Sequence, residues 1–150
     1  MSHCDDVERE FETLRDYFRN CRKDSFDLQV VMKEIRDLAR MGARTTYGDL
    51  MSRHHISRAR KHGIAEVLWI ISEREACRAG LSHSPPHFIS AVVVRASTGY
   101  PSGGLFALTG IPSDLARREW RYGDSHLTLP EKRYVESLWE HLRSCSEGRT

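Results

Sequence analysis

The sequence lacks the features that would place a protein in or across a membrane. No apolar run approaches the roughly 20 residues that a membrane-spanning helix requires. The opening stretch MSHCDDVERE is acidic and polar, whereas a secretory signal begins with basic residues and continues with an apolar segment. We therefore expect a cytoplasmic protein that has no membrane partner.

Cysteine is scarce and widely spaced. No two cysteines form a Cys-x-x-Cys pair, the spacing typical of zinc knuckles and of dithiol redox centres. The cysteines of the chain are Cys4, Cys21, Cys77 and Cys145. Reduced thiols are the expectation from this spacing.

The histidines do not indicate a metal site. His54 and His55 are adjacent, so their side chains point in different directions on most backbones. His83 and His87 flank two prolines, with no carboxylate or thiol beside them in sequence. We predict no metal ion and no cofactor.

Signatures of common catalytic sites are also missing. No serine lies in a Gly-x-Ser-x-Gly setting, and the glycine-rich STGYPSGG lacks the Gly-Lys-Ser/Thr of a phosphate-binding loop. A metal-dependent nuclease would need converging carboxylates, and its candidates lie on predicted helices with Arg or Lys nearby. These candidates are Asp49, Glu66, Glu73 and Glu75. We predict that the protein is not an enzyme, with such a nuclease as a minor alternative.

Apolar periodicity predicts two N-terminal helices, near 5–22 and 27–41. The first has one apolar face made of Val7, Phe11, Leu14 and Phe18. The second has an apolar stripe made of Leu28, Val31, Ile35 and Leu38. Gly42 follows the second helix and is expected to end it in a left-handed conformation.

A helix-turn-helix is predicted next. Thr46 is a candidate N-cap for a short helix, and Ser57 is a candidate N-cap for a longer helix that ends at Gly80. The buried stripe of the longer helix is expected to be Ile64, Val67, Leu68 and Ile71. A tight connection joins the two helices.

A β-hairpin and two more helices complete the prediction. FISAVVVR and LFAL are predicted strands joined by the turn STGYPSGG. Ser113 is expected to start a helix through Tyr122, and Pro130 suits the first turn of a last helix with Tyr134, Leu138 and Leu142. We therefore predict a mostly helical α+β fold: a winged helix-turn-helix core with a small β-hairpin and added N- and C-terminal helices. It forms one domain, 1–150, with an extension over 1–25, the core over 26–110 and C-terminal helices over 111–150.

Charge is unevenly distributed along the chain. Acids nearly balance bases overall, yet residues 53–62 contain four Lys or Arg, three His and no acid. This basic segment covers the turn of the predicted helix-turn-helix, the part that meets DNA phosphates. On a helix that began near Ser57, Arg58 and Lys61 would lie opposite the apolar stripe and Arg60 on its side, so Arg58 and Lys61 are the stronger candidates.

Three stretches, TTYGDL, ARKHG and PPHFISAVVVRASTGYPSGGL, resemble segments of the O6-alkylguanine-DNA alkyltransferases and their catalytically inactive alkyltransferase-like relatives. TTYGDL is similar to the Tyr-Gly-Asp/Glu-Leu helix start of that family, and ARKHG to its Ala-Arg-Ala-Val-Gly. The stretch PPHFISAVVVRASTGYPSGGL aligns without a gap with the family's segment from Pro-x-Pro through Pro-Cys-His-Arg-Val to Gly-Gly. The resemblance implies that Tyr47 presses on the DNA backbone and that Arg60 enters the base stack.

The chain departs from that family at the catalytic residues. Val92 and Val93 stand where the family has its alkyl-accepting cysteine and the activating histidine. A thiolate nucleophile needs a sulfur and a neighbour that lowers its pKa, and valine supplies neither. Alkyl transfer by this route is therefore excluded.

We conclude from the sequence that the chain is a non-enzymatic protein that binds DNA, most simply duplex DNA. The predicted contact residues are Thr46, Tyr47, Arg53, Ser57, Arg58, Arg60, Lys61, Tyr100 and Ser102, of which the last two belong to the wing. Modified or distorted DNA as the target, and a role in a phage, mobile element or defence system, stay open. The alternative is a protein-interaction module that is a scaffold or an inhibitor. Its terminal helices, with Trp120, Tyr134 and Trp139, would contact a partner or a second copy of the chain.

Overall fold

The computed structural model describes residues 2–21, 25–56, 63–80, 85–117 and 126–147. Within these ranges the chain forms five α-helices, two 3-10 helices and one sheet of two very short strands. In chain order the elements are α1 (His3–Arg19), α2 (Leu28–Met41), β1 (Thr45–Thr46), α3 (Tyr47–His54), α4 (Ile64–Ala79), a first 3-10 helix (Ile89–Val92), β2 (Val93–Val94), a second 3-10 helix (Gly103–Ala107) and α5 (Leu129–Glu147). The predicted mostly helical α+β class is confirmed. None of the described helices is long and apolar enough to cross a membrane.

The helix ends follow local signals in the sequence. Ser2 and Asp5 form a reciprocal capping box at the start of α1. The side chain of Asp27 accepts a hydrogen bond from the N–H of Gln29 at the start of α2. Gly42 ends α2 at φ 72°, a left-handed conformation that costs glycine little. The predicted ends of α2 are thereby confirmed.

Helix α4 lies at the centre of the fold. It packs against α1 and the first 3-10 helix, while α2 packs against α5. The four predicted core residues of α1 are all buried, as are Val67, Leu68 and Ile71 on α4. Ile64 is partly buried against the same core. Burial extends to Glu73 and Arg74, so that few α4 side chains, among them Ala65 and Trp69, remain exposed.

The predicted β-hairpin is wrong. Half of the first predicted strand, Ile89–Val92, forms the first 3-10 helix, and three of the four residues of the second predicted strand lie in the second 3-10 helix. Val93 and Val94 do form a strand, but it pairs in parallel with Thr45 and Thr46. The reason is that every residue from Phe88 to Val94 is buried, so the β-branched run packs inside the fold and cannot project as a wing. The described residues contain no antiparallel pair.

Two predicted helix starts also need correction. The N-cap of α4 is Gly63, not Ser57. The backbone of Gly63 is extended (ψ −174°), so α4 begins at the residue that follows it. Ser57 itself lies outside the described residues. Ser113 belongs to a turn, and no helix is present over 111–117; the rest of the predicted helix, with Trp120, lies outside the described ranges.

The expectation of four reduced thiols is wrong for two of them. Cys4 at the start of α1 and Cys77 near the end of α4 form a disulfide, with Cα atoms 5.7 Å apart. Their sequence separation of 73 residues hid this pairing, because only the packing of α1 on α4 brings them together. Beside the bond, the Nε2 atom of His3 lies 2.9 Å from the carboxylate of the fully buried Glu73.

Candidate nucleic-acid interface

Helix α3 begins at a junction that joins distant parts of the chain. The hydroxyl of Thr46 accepts a hydrogen bond from the N–H of Asp49 and caps α3, as predicted. The next residue, Tyr47, is partly buried, and its hydroxyl accepts a hydrogen bond from the N–H of Ser102 at 2.9 Å. Two predicted contact residues, Tyr47 and Ser102, are thus directly bonded, and they hold the loop before the second 3-10 helix against α3.

Tyr100 belongs to a cluster of two aromatic rings flanked by two basic side chains, here called the aromatic stack. Its ring stacks on Trp139 of α5, with centroids 5.4 Å apart and planes 21° from parallel. The guanidinium of Arg44 lies 3.6 Å from the centroid of Trp139, and the ammonium of Lys132 lies 5.3 Å from that of Tyr100. Cation–π attraction stabilises such contacts. Arg44 is exposed and precedes Tyr47 by three residues in the sequence.

Arg53 is located at the end of α3, where it binds other side chains. Its Nε donates to Glu34 of α2 at 2.9 Å, and a second nitrogen donates to the Thr45 hydroxyl at 3.0 Å. His54 lies 2.6 Å from the other carboxylate oxygen of Glu34. Burial raises the pKa of Glu34, but the hydrogen bonds from His54 and Arg53 outweigh it and hold that pKa below its ordinary value. Glu34 therefore offsets part of the positive charge at this end of the basic segment.

The start of α4 has no side-chain cap. The carbonyl of Gly63 accepts hydrogen bonds from the N–H groups of Glu66 and Val67, and Gly63 itself has no side chain that could cap the helix. A helix N-terminus carries partial positive charge on its N–H groups. The basic segment ends directly before Gly63, although its residues Ser57, Arg58, Arg60 and Lys61 lie outside the described ranges.

The carboxylates of the nuclease alternative do not converge. Glu73 is fully buried and accepts a hydrogen bond from the N–H of Thr109 at 2.7 Å, in addition to its contact with His3. Glu75 binds Arg36 at 2.8 Å. Among the residues that the structure describes, the only group of three possible metal ligands contains none of the predicted acids.

Comparisons of the chain with protein-family models, with curated proteins and with solved structures found no match. The resemblance to the alkyltransferases therefore depends on the short motifs alone. Within the structure, Val92 and Val93 are 2% and 0% exposed and pack in the core.

One cluster of reactive side chains was missed from the sequence. His87, His141 and Cys145 offer ligand atoms that all lie within 4.8 Å of one another. His141 and Cys145 are four residues apart on α5, a spacing that places them on one helix face. That spacing was the available signal, whereas the approach of His87 depends on the tertiary fold.

Proposed function

We propose that the protein binds duplex DNA without catalysis, through the surface formed by α3, the basic segment and the start of α4. The observation that carries this proposal is the α4 N-terminus, whose N-cap Gly63 has no side chain to cap it and which directly follows a segment of ten residues with four Lys or Arg and no acid. Phosphate groups are the ligands that such a combination attracts best.

Those residues of this surface that the structure describes support the same proposal. The hydrogen bond from Ser102 to Tyr47 fixes the loop that carries Tyr100 beside the start of α3. The aromatic stack supplies Arg44 and Lys132, two further cations. The Thr46 hydroxyl caps α3, so we assign Thr46 a role in positioning this helix and not a direct contact with DNA. We propose that α3 and α4 act as a helix-turn-helix in which this loop takes the place of the wing.

The resemblance to the alkyltransferase-like proteins agrees with a binding protein that has no nucleophile. Val92 and Val93 remove both the alkyl acceptor and its base. Modified, distorted and undamaged duplexes all present the phosphates on which the proposal depends. A preference among them would come from contacts that the charge argument does not specify.

The salt dependence of binding tests the proposal. If Arg53, Arg58, Arg60 and Lys61 each neutralise a phosphate, the logarithm of the binding constant should fall with the logarithm of salt concentration at a slope of about −3 to −4, near −0.9 per contact. Replacing both Arg58 and Lys61 by alanine should make the slope less steep by roughly 1 to 2 units and weaken binding to all sequences. Fluorescence anisotropy with a labelled duplex measures both quantities.

A matched control removes the same charge elsewhere. Arg9 on α1 and Lys33 on α2 are exposed and form local ion pairs with Asp6 and Asp37. The double alanine variant at Arg9 and Lys33 should keep the wild-type slope, with circular dichroism confirming the fold of each variant. An Arg58/Lys61 variant whose slope equals that of the wild type would refute the proposal.

The protein-interaction alternative makes a different prediction for Trp139. In the structure Trp139 donates a hydrogen bond from Nε1 to the carbonyl oxygen of Ala91 at 2.8 Å and packs against both parts of the core. These contacts favour a role in holding α5 onto the fold. A partner interface or a homodimer through the terminal helices would require the Trp139 variant to lose partner binding while DNA affinity stayed insensitive to the basic segment.

A further inference from the structure

The structure brings together three side chains that commonly bind transition metals. His87 lies in the segment before the first 3-10 helix, whereas His141 and Cys145 lie one turn apart on α5. The sulfur of Cys145 is 3.7 Å from Nε2 of His87 and 3.6 Å from Nε2 of His141. The two histidine rings meet edge to face, with centroids 5.0 Å apart.

These distances fit one tetrahedral ion. Zinc bonds of roughly 2.0 Å to nitrogen and 2.3 Å to sulfur separate the two ligand atoms by about 3.6 Å when the angle between the bonds is tetrahedral. Both sulfur-to-nitrogen distances have this value within 0.1 Å. The remaining edge, between the two imidazoles, is at most 4.8 Å and must shorten to about 3.3 Å when both rings bind one tetrahedral ion. From this geometry we infer that His87, His141 and Cys145 bind one Zn²⁺ ion.

The surroundings leave room for a fourth ligand. A cavity of about 30 Å³ borders His87 and Cys145 and is also lined by Arg36, Arg40 and Glu75. A single water needs about 10–15 Å³ of such space, so the fourth position accepts a water molecule. Three protein ligands with one exchangeable position is the arrangement of reactive zinc sites, in contrast to the closed four-ligand sites that are purely structural.

The local charges are compatible with a divalent cation. Arg36 and Arg40 would oppose it, but the carboxylate of Glu75 accepts a hydrogen bond from Arg36 at 2.8 Å and offsets that charge. Binding deprotonates the Cys145 thiol, whose proton leaves to solvent, and the resulting thiolate supplies a further negative charge at the metal. The guanidinium of Arg40 then favours an anionic or polarised fourth ligand.

Cobalt titration tests this site without any knowledge of the DNA target. The tag-free full-length chain, stripped of metal and kept free of thiol reductants so that the Cys4–Cys77 disulfide persists, should bind one Co²⁺ per chain. Tetrahedral thiolate ligation gives intense visible d–d bands and a near-ultraviolet sulfur-to-cobalt charge-transfer band, and added Zn²⁺ should abolish both. The absence of a charge-transfer band from the wild-type protein would overturn the inference.

Variants identify the ligands. Cys145→Ser should lose the charge-transfer band, and His87→Ala or His141→Ala should weaken Zn²⁺ affinity by more than the roughly 10–100-fold typical of changes outside the ligand shell. Cys21→Ser removes the other cysteine that lies outside the disulfide and should bind metal like the wild type. A charge-transfer band that survives in Cys145→Ser would show that the site lies elsewhere.

A footprint on the unaltered chain covers the case in which a variant fails to fold. Zn²⁺ should slow the alkylation of Cys145 by iodoacetamide at least tenfold, while Cys21 reacts at the same rate with and without metal, as read by peptide mass spectrometry. Equal alkylation rates of Cys145 in both conditions would refute zinc binding by this cluster.

Discussion

Glu131 allows a test of the energetics that hold α5 in place. Its side chain is 6% exposed and accepts hydrogen bonds from two nitrogens of Arg117, at 2.8 and 2.7 Å. It also accepts from the N–H of Thr128 at 2.8 Å, while the Thr128 hydroxyl accepts from the N–H of Glu131. The same carboxylate therefore caps α5 and binds α5 to the segment that follows the second 3-10 helix.

Removing this carboxylate should be costly. Glu131→Ala removes the carboxylate that pairs with Arg117, where only 19% of the Arg117 side chain is exposed and a hydrogen bond to the carbonyl of His126 at 3.1 Å stays. Loss of one member of a buried pair typically costs about 3–5 kcal/mol, and the partial exposure of Arg117 favours the lower limit of about 3 kcal/mol. Glu131→Gln keeps the shape and one acceptor oxygen, so we expect roughly half that loss, since hydrogen bonds to a neutral acceptor are weaker. Glu136→Ala is the exposed control on the same helix and should change stability by less than about 0.5 kcal/mol.

The pH dependence gives an independent check. Burial raises the pKa of Glu131. The hydrogen bonds from Arg117 and Thr128, together with the positive charge of Arg117, outweigh this effect and hold the folded-state pKa below its ordinary value. A depressed pKa contributes stability above the unfolded-state pKa of about 4.3, and this contribution is lost as the pH falls through the folded-state pKa. The difference between wild type and Glu131→Gln should thus be constant near neutral pH and shrink below about pH 4.

Urea unfolding followed by circular dichroism, at pH 7 and in steps towards pH 3, measures these differences. A loss below about 1 kcal/mol for Glu131→Ala at pH 7 would refute the reasoning, because it would mean that solvent replaces the pair at little cost. If the difference in unfolding free energy between wild type and Glu131→Gln does not change with pH, only the electrostatic part of the reasoning is refuted.

Two further predictions concern the core and the absent nucleophile. Leu68→Ala should destabilise the fold by roughly 2–5 kcal/mol in urea unfolding, because Leu68 is buried on α4. Trp69→Ala should cost less, because Trp69 is more exposed. Equal losses of stability in the two variants would contradict the assigned helix face. Incubation with DNA that carries a radiolabelled O6-alkylguanine should transfer no label to the protein, since Val92 and Val93 offer no acceptor; labelled protein on a denaturing gel would contradict this.

Local signals allowed most helices to be predicted from the sequence. The α1 face made of Val7, Phe11, Leu14 and Phe18 is entirely buried, and Gly42 adopts the expected left-handed conformation. Thr46 caps α3 as predicted, and Gly80 follows the last residue of α4. These features depend on residues within one or two helical turns, so the sequence pattern contains the information that determines them.

The sheet could not be predicted in the same way. The run of β-branched residues before Arg95 indicated a strand, but its partner is Thr45–Thr46, nearly fifty positions earlier in the chain. Because Val93 and Val94 are both buried, no alternation of polar and apolar residues revealed which neighbour they face. The residues after Arg95 are of types common in turns and therefore suggested a hairpin. The backbone there closes a short loop instead, in which the N–H of Arg95 donates a hydrogen bond to the carbonyl of Tyr100.

The side chains that could carry chemistry show the same division between local and distant information. Tyr47 was identified from a motif, but its bond to Ser102 spans 55 positions. His141 and Cys145 share a helix face that the sequence displays, while His87 joins them across 58 positions from Cys145. The Cys4–Cys77 disulfide likewise requires α1 to pack on α4. Sequence patterns identify candidate groups of this kind, and tertiary packing decides which of them meet.

The burial of Val92 and Val93 bears on how binding and catalysis can be separated in this fold. In the resembling enzymes the corresponding positions hold the nucleophile and its base, and here they belong to the core between α3 and α4. The charges proposed to contact phosphates come instead from the basic segment before Gly63, which shares no residue with β2. The burial of Val92 and Val93 in the core therefore involves none of the residues that the proposed DNA contact requires.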